Sequence, residues 1–148
     1  MQYRPDIVIS DRSGVAVAMI EVKALSGASV ETATRYLRNL LAHGVAPRVG
    51  YVLLITADTG YLWSTPEAVL HEPAPSLTFP MDRITRHYLP DSGPSTLVGD
   101  LVLESIVKVW LSDLADGAVV DVGVTSSLRE TGFLNAVRDG LVNAYATA

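Results

Sequence analysis

The chain has no cysteine, which excludes thiol nucleophiles, disulfide scaffolds and thiolate zinc sites. Histidine is scarce: His43, His71 and His87 are scattered with no pair at ligand spacing, so they read as helix-end or surface residues. Long apolar runs are missing too, since Val15 to Ile20 and Tyr51 to Ile55 fall far short of the roughly 20 residues that span a bilayer. The opening Met1-Gln-Tyr-Arg-Pro-Asp6 lacks the basic start and apolar stretch of a signal peptide, so a cytoplasmic location with no membrane partner is expected. Neither a Gly-x-Ser-x-Gly elbow nor a phosphate-cradling glycine loop occurs. Positive charge is short as well: eleven Lys and Arg against sixteen Asp and Glu give a formal net charge of −5. That is the wrong sign for a protein whose whole surface binds nucleic acid, so any such contact must be local.

What remains is an ordinary globular composition over 148 residues, 49% of them hydrophobic and 18% charged, and a single domain spanning 1–148 is expected. No internal repeat, low-complexity tract or long linker divides it. The mean hydropathy of +0.29 is high, and the excess apolar surface points to a subunit interface, hence a homodimer.

Ile7 to Ser10, the turn residues Asp11-Arg-Ser-Gly14 and Val15 to Lys23 read as a β-hairpin. Ser29 is placed to cap a helix in which Val30, Ala33, Leu37, Leu40 and Leu41 recur every three or four positions. Val49 to Thr56 reads as a strand buried on both faces, with Tyr61-Leu-Trp63 continuing the sheet after a turn. Residues 64–96 are rich in proline, with short helices expected at Pro66 to His71 and Asp82 to Leu89. A helix from Ser95 or Thr96 to about Leu114 carries too many apolar residues for one stripe, so burial on two sides is expected. Ala118 to Val124 then reads as a strand, and Ser127 with Glu130 as the capping box of a last helix holding Phe133, Leu134, Val137, Leu141 and Tyr145. Trp63 and Trp110 read as core or interface residues, and Asp58 as a turn residue.

The residues that carry chemistry are Pro5-Asp6, opening the first strand, and Glu21-Val22-Lys23, closing the second. A hairpin brings those two ends together. Alternation puts Glu21 and Lys23 on one face of their strand, beside Asp6 if the register is simple. Magnesium takes oxygen ligands, usually one or two carboxylates with water and substrate phosphate completing the octahedron. Asp6 and Glu21 supply the carboxylates and the backbone carbonyl of Val22 a third oxygen. Lys23 can orient or deprotonate a water, or offset charge on a phosphate.

With the helix and buried strand that follow, this pattern resembles the PD-(D/E)xK nuclease superfamily, the restriction-endonuclease-like fold, over residues 5–63. The resemblance implies that Asp6, Glu21 and Lys23 are the metal-binding and catalytic groups, with Mg2+ or Mn2+ as cofactor. One branch of the superfamily carries a Gln-x-x-x-Tyr element in the next helix. Here Thr32-Ala-Thr-Arg-Tyr36 keeps the tyrosine and has threonine in place of glutamine. The family core also begins with a helix and a strand before the aspartate strand, whereas only Met1 to Arg4 precede Pro5 in this sequence. A displaced pair, the helix at Val98 to Leu114 and the strand at Ala118 to Val124, is expected to fill that place, docked in the same chain as in a circular permutation or supplied by a partner subunit. Arg4, Arg12, Arg35, Tyr36, Arg38 and Arg48 are the candidate nucleic-acid contacts.

The expected protein is therefore an α/β domain with a restriction-endonuclease-like mixed central sheet flanked by helices, acting as a magnesium-dependent nuclease on DNA, or on RNA. The alternatives are a catalytically inactive nuclease-like fold, serving as a nucleic-acid or protein-binding subunit of a larger defence, repair or mobile-element complex, and a purely structural oligomerisation protein.

Overall fold

A computed structural model describes residues 5–42, 49–71, 74–90 and 99–144. The elements run β1 (Ile7–Ser10), β2 (Ala16–Val22), α1 (Val30–Ala42), β3 (Tyr51–Ile55), β4 (Thr59–Trp63), α2 (Pro66–His71), β5 (Leu77–Pro80), α3 (Asp82–Tyr88), α4 (Asp100–Ala115), α5 (Val122–Glu130), α6 (Phe133–Val137) and β6 (Leu141–Ala144). The six strands form one mixed sheet in the order β5-β4-β3-β2-β1-β6. Only β2 and β3 are parallel, and α1 is the crossover between them. No helix among the described residues is long and apolar enough to cross a membrane.

The hairpin forms as its sequence predicts. The Asp11 carboxylate accepts from the amides of Ser13 and Val15 at 2.9 and 3.0 Å, and Gly14 supplies the positive φ that the turn requires. Helix α1 starts where Ser29 Oγ accepts from the Thr32 amide at 3.1 Å, an N-cap bond. Its Ala33, Leu37 and Leu41 then bury against Met19, Val52, Leu54 and Trp63 on one face of the sheet, with Val69 of α2. The opposite face, with Ile7, Ile20, Leu53 and Ile55, lies under Leu103, Val107, Trp110 and Leu111 of α4 and Leu128 and Phe133 beyond it. Strand β3 contributes to both clusters, as its continuous apolar run predicts.

Four expectations are corrected. Residues 118–124 form no strand: the Asp121 carboxylate accepts from the Val124 amide at 3.0 Å and starts α5 there. Val124, Thr125 and Leu128 are that helix's buried residues, so a valine-rich run that looks like a strand is read as helix once capped. Ser127 and Glu130 accordingly lie inside α5 rather than at a helix start. The expected last helix breaks at Asp139, which has φ 56°, and at Gly140. A Cβ on Gly140 would come within 2.5 Å of the Ser10 carbonyl oxygen. Residues 141–144 then run as β6, antiparallel to β1; Tyr145 lies outside the described residues. Finally, α4 buries one stripe and leaves Leu101, Val102 and Val109 exposed, because the sheet covers only one of its sides.

Strand β5, inside the proline-rich segment, was not expected. It is an edge strand ending at Pro80, a position where the missing N–H is tolerated. Gly60 faces it, and the Phe79 ring fills the space that a side chain there would need.

Candidate active site

The β1–β2 pairing sets Ile7 opposite Ile20, Val8 opposite Met19 and Ile9 opposite Ala18. One further step of the same register brings Asp6 level with Glu21. Asp6 is fixed there by its own carboxylate, whose Oδ2 accepts from the Val22 amide at 2.8 Å. Glu21 is 8% exposed, a degree of burial that is rare for a carboxylate without partners, and it lies on the α1 side of the sheet with Met19. Val22 ends β2 in the opposite core cluster.

Lys23 follows directly. Its amide donates to the Ile55 carbonyl at 2.9 Å, so the chain is still held by β3 as it leaves the strand. Its ammonium lies 3.5 Å from Asp100 Oδ2, and Asp100 Oδ1 accepts from the next amide, Ala24, at 2.6 Å. One carboxylate at the start of α4 therefore grips both the side chain and the main chain at the end of the β2 segment. Asp58, read above as a turn residue, accepts from Thr56 Oγ1 at 3.0 Å and also from the Gly27 amide at 3.0 Å. It thereby tethers the loop that follows Lys23.

Two residues report how close these acids stand to one another. The Tyr36 phenol on α1 is pushed up to about 12 by partial burial and then by the charges of Glu21, Asp6 and Asp100. The carboxyl of Glu104, one turn along α4 from Asp100, is raised above its ordinary value by burial and then by Asp6 and Asp100. Asp6, Glu21, Asp100 and Glu104 thus surround one end of the hairpin, with Lys23 and Tyr36 among them. Asp100 and Glu104 escape the sequence reading, although two acids four apart open an otherwise apolar helix. Like charges at that spacing repel, and such a pair is a signal that the position serves something besides helix stability.

The remaining candidates lie elsewhere. Arg12 sits at the turn, the far end of the hairpin, paired with Asp139 at 2.5 Å. Arg38 donates from Nε to the Val69 carbonyl of α2 at 2.5 Å. Arg35 is exposed on α1 with no ion-pair partner among the described residues. Arg4, Arg48 and His43 are outside the described residues. His71 ends α2, His87 packs edge-on against Tyr88, and Trp63 and Trp110 are core residues.

Among the described residues, no group of three or more His, Asp or Glu side chains is arranged to hold a metal ion on its own. The donor set at the open end fits a more open kind of site, in which one or two carboxylates share an octahedron with water and phosphate oxygens. Compared with protein-family models, with curated proteins and with solved structures, the chain matches none.

Proposed function

We propose that this chain is a metal-dependent phosphodiesterase of the PD-(D/E)xK kind, hydrolysing DNA, or RNA, at the open end of the β1–β2 hairpin. The observation that carries the reading is the gathering of Asp6, Glu21 and Lys23 at one strand end, where Asp100 and Glu104 join them. A second point in its favour is topological. The resemblance expects a strand ahead of the aspartate strand, and β6 runs beside β1 there, while α4 packs on the same sheet. The displaced pair is then α4 with β6, in place of the segment 118–124.

Asp6, Glu21 and the Val22 carbonyl would hold a Mg2+ or Mn2+ ion. When bound, the cation supplies charge neutralisation at phosphate and lowers the pKa of water. The chain's own groups do the rest. The Val22 amide orients Asp6, and Asp100 keeps the Lys23 ammonium at the strand end, where it donates a hydrogen bond to the attacking water or offsets phosphate charge. Tyr36 stays protonated through the whole neutral range and serves there as a hydrogen-bond donor.

The test is cleavage of labelled single-stranded DNA, duplex DNA and RNA with Mg2+ or Mn2+, beside folded Asp6→Ala and Lys23→Ala proteins. Cleavage by the wild type alone supports the reading, and the preferred strand names the substrate. Equal cleavage by the variants, or none by the wild type, sinks it.

A further inference from the structure

At the other end of α4, a cleft of about 240 Å³ opens between Leu114 to Val119, α5 and α6. Its volume is a little under the roughly 300–1,000 Å³ of small-molecule pockets. Arg129, Arg138, Asn135 and Thr125 line it, and no carboxylate does. Among the described residues neither guanidinium has an ion-pair or hydrogen-bond partner. By contrast, Arg12, Arg83 and Arg86 are each paired with an aspartate. The nearby Asp139 is already taken by Arg12. Thr125 is 4% exposed, and its hydroxyl has no partner among the described residues either.

Every polar side chain lining this cleft can donate a hydrogen bond, and two of them are cationic, in a chain of net charge −5. Arg129 in the last turn of α5 also complements that helix's carbonyl end. That explains one arginine; it does not account for the second. Leu114, Val119 and Leu134 provide an apolar wall. We propose that this cleft binds a small organic anion, a phosphate or carboxylate on a compact apolar body, with Arg129 and Arg138 holding the oxyanion and Thr125 and Asn135 completing its hydrogen bonds. Guanidinium pairs suit this task because their planar donors match oxyanion geometry. The site is separate from the proposed nuclease centre: Asp100 and Leu114 are about 21 Å apart along α4 at 1.5 Å per residue.

Phenyl phosphate, benzoate and inorganic phosphate are titrated into 15N-labelled protein, following the amides of residues 114–119 and 125–138. Saturable shifts there with phenyl phosphate or benzoate, tighter than with inorganic phosphate, are expected; which of the two binds better names the oxyanion. Arg129→Gln and Arg138→Gln should each weaken binding about tenfold, and Thr125→Val less, with unchanged circular dichroism. Three results overturn the proposal: no saturable shift with any probe, undiminished affinity in the folded double arginine variant, or displacement of phenyl phosphate by a dodecanucleotide that binds the same amides more tightly, which would make the cleft a polynucleotide contact.

Discussion

At its turn the β1–β2 hairpin pairs its charges with amides and an opposite charge, whereas at its open end it brings several acids near one another. Asp11 is held below the ordinary aspartate value by the amides it accepts from, Val15 first, and Arg12 pairs with Asp139. Asp6 and Val22 are sixteen positions apart in sequence, yet at that end Asp6, Glu21, Asp100 and Glu104 lie near one another, with the Lys23 ammonium on Asp100. Desolvation and mutual repulsion are what raise Glu104 and Tyr36 there. Stability alone would favour the first arrangement at both ends. The second makes sense where an additional positive charge arrives with a substrate.

The sharpest break of this contrast is Lys23→Met. If Lys23 handles a proton or faces phosphate, metal-dependent cleavage should fall by about 10²–10⁴-fold, with the fold intact by circular dichroism. A variant that cleaves like the wild type would put the two hairpin ends on the same footing.

Asp100→Ala comes next, because Asp100 acts through Lys23 and Ala24 rather than by contact with substrate. Losing its grip misplaces the lysine, and a misplacement of ~1 Å can cost up to about 10²-fold. Asp100→Asn keeps an acceptor for the Ala24 amide and should recover part of the rate. In a Lys23→Met background, Asp100→Ala should add little further loss; an undiminished effect in that background would show that Asp100 works by another route.

How much of this was legible beforehand follows from what sets each element. The hairpin, α1 and β3 are fixed by local turn chemistry, a cap and short-range periodicity, and residues 7–63 are recovered nearly element by element. The C-terminal third is decided by competition: the Asp121 cap against the β-propensity of Val119 to Val124, and the Asp139-Gly140 turn against a helical repeat running on to Leu141. Asp6, Glu21 and Lys23 come together because a hairpin register is countable. Asp100 and Glu104 could not be placed, since only the packing of α4 across the sheet brings residue 100 to residue 24. Arg12 and Arg38 carry the right charge, but their partners, Asp139 and the Val69 carbonyl, lie far away in sequence.

Glu104→Gln has a smaller effect, and its sign depends on pH. Because the folded-state carboxyl is raised above 4.5, its contribution to stability is fully present below that value and is lost as pH rises through the folded value. At pH 7 the ionised group opposes folding. Replacing it should raise stability there by a few tenths of a kcal/mol, as for a solvent-screened, partly buried charge, and by less at pH 4. Urea midpoints of both proteins at the two pH values check this, and a gain that is equal at both would remove the charge-repulsion account.

The least effect is expected at the turn, from Arg12→Ala. Its partner is real but the pair is largely exposed, with side-chain exposures of 76% and 49%, and such pairs contribute about 0–1 kcal/mol. Asp139 keeps its place without the arginine, since its positive φ is set by the turn into β6 and its amide donates to the Ala115 carbonyl at 2.8 Å. Cleavage should therefore be unchanged and the urea midpoint should shift slightly, more at low salt than at high. A large loss of activity would mean that Arg12 contacts the substrate, and the nucleic acid would then have to extend along the whole hairpin instead of engaging its open end alone.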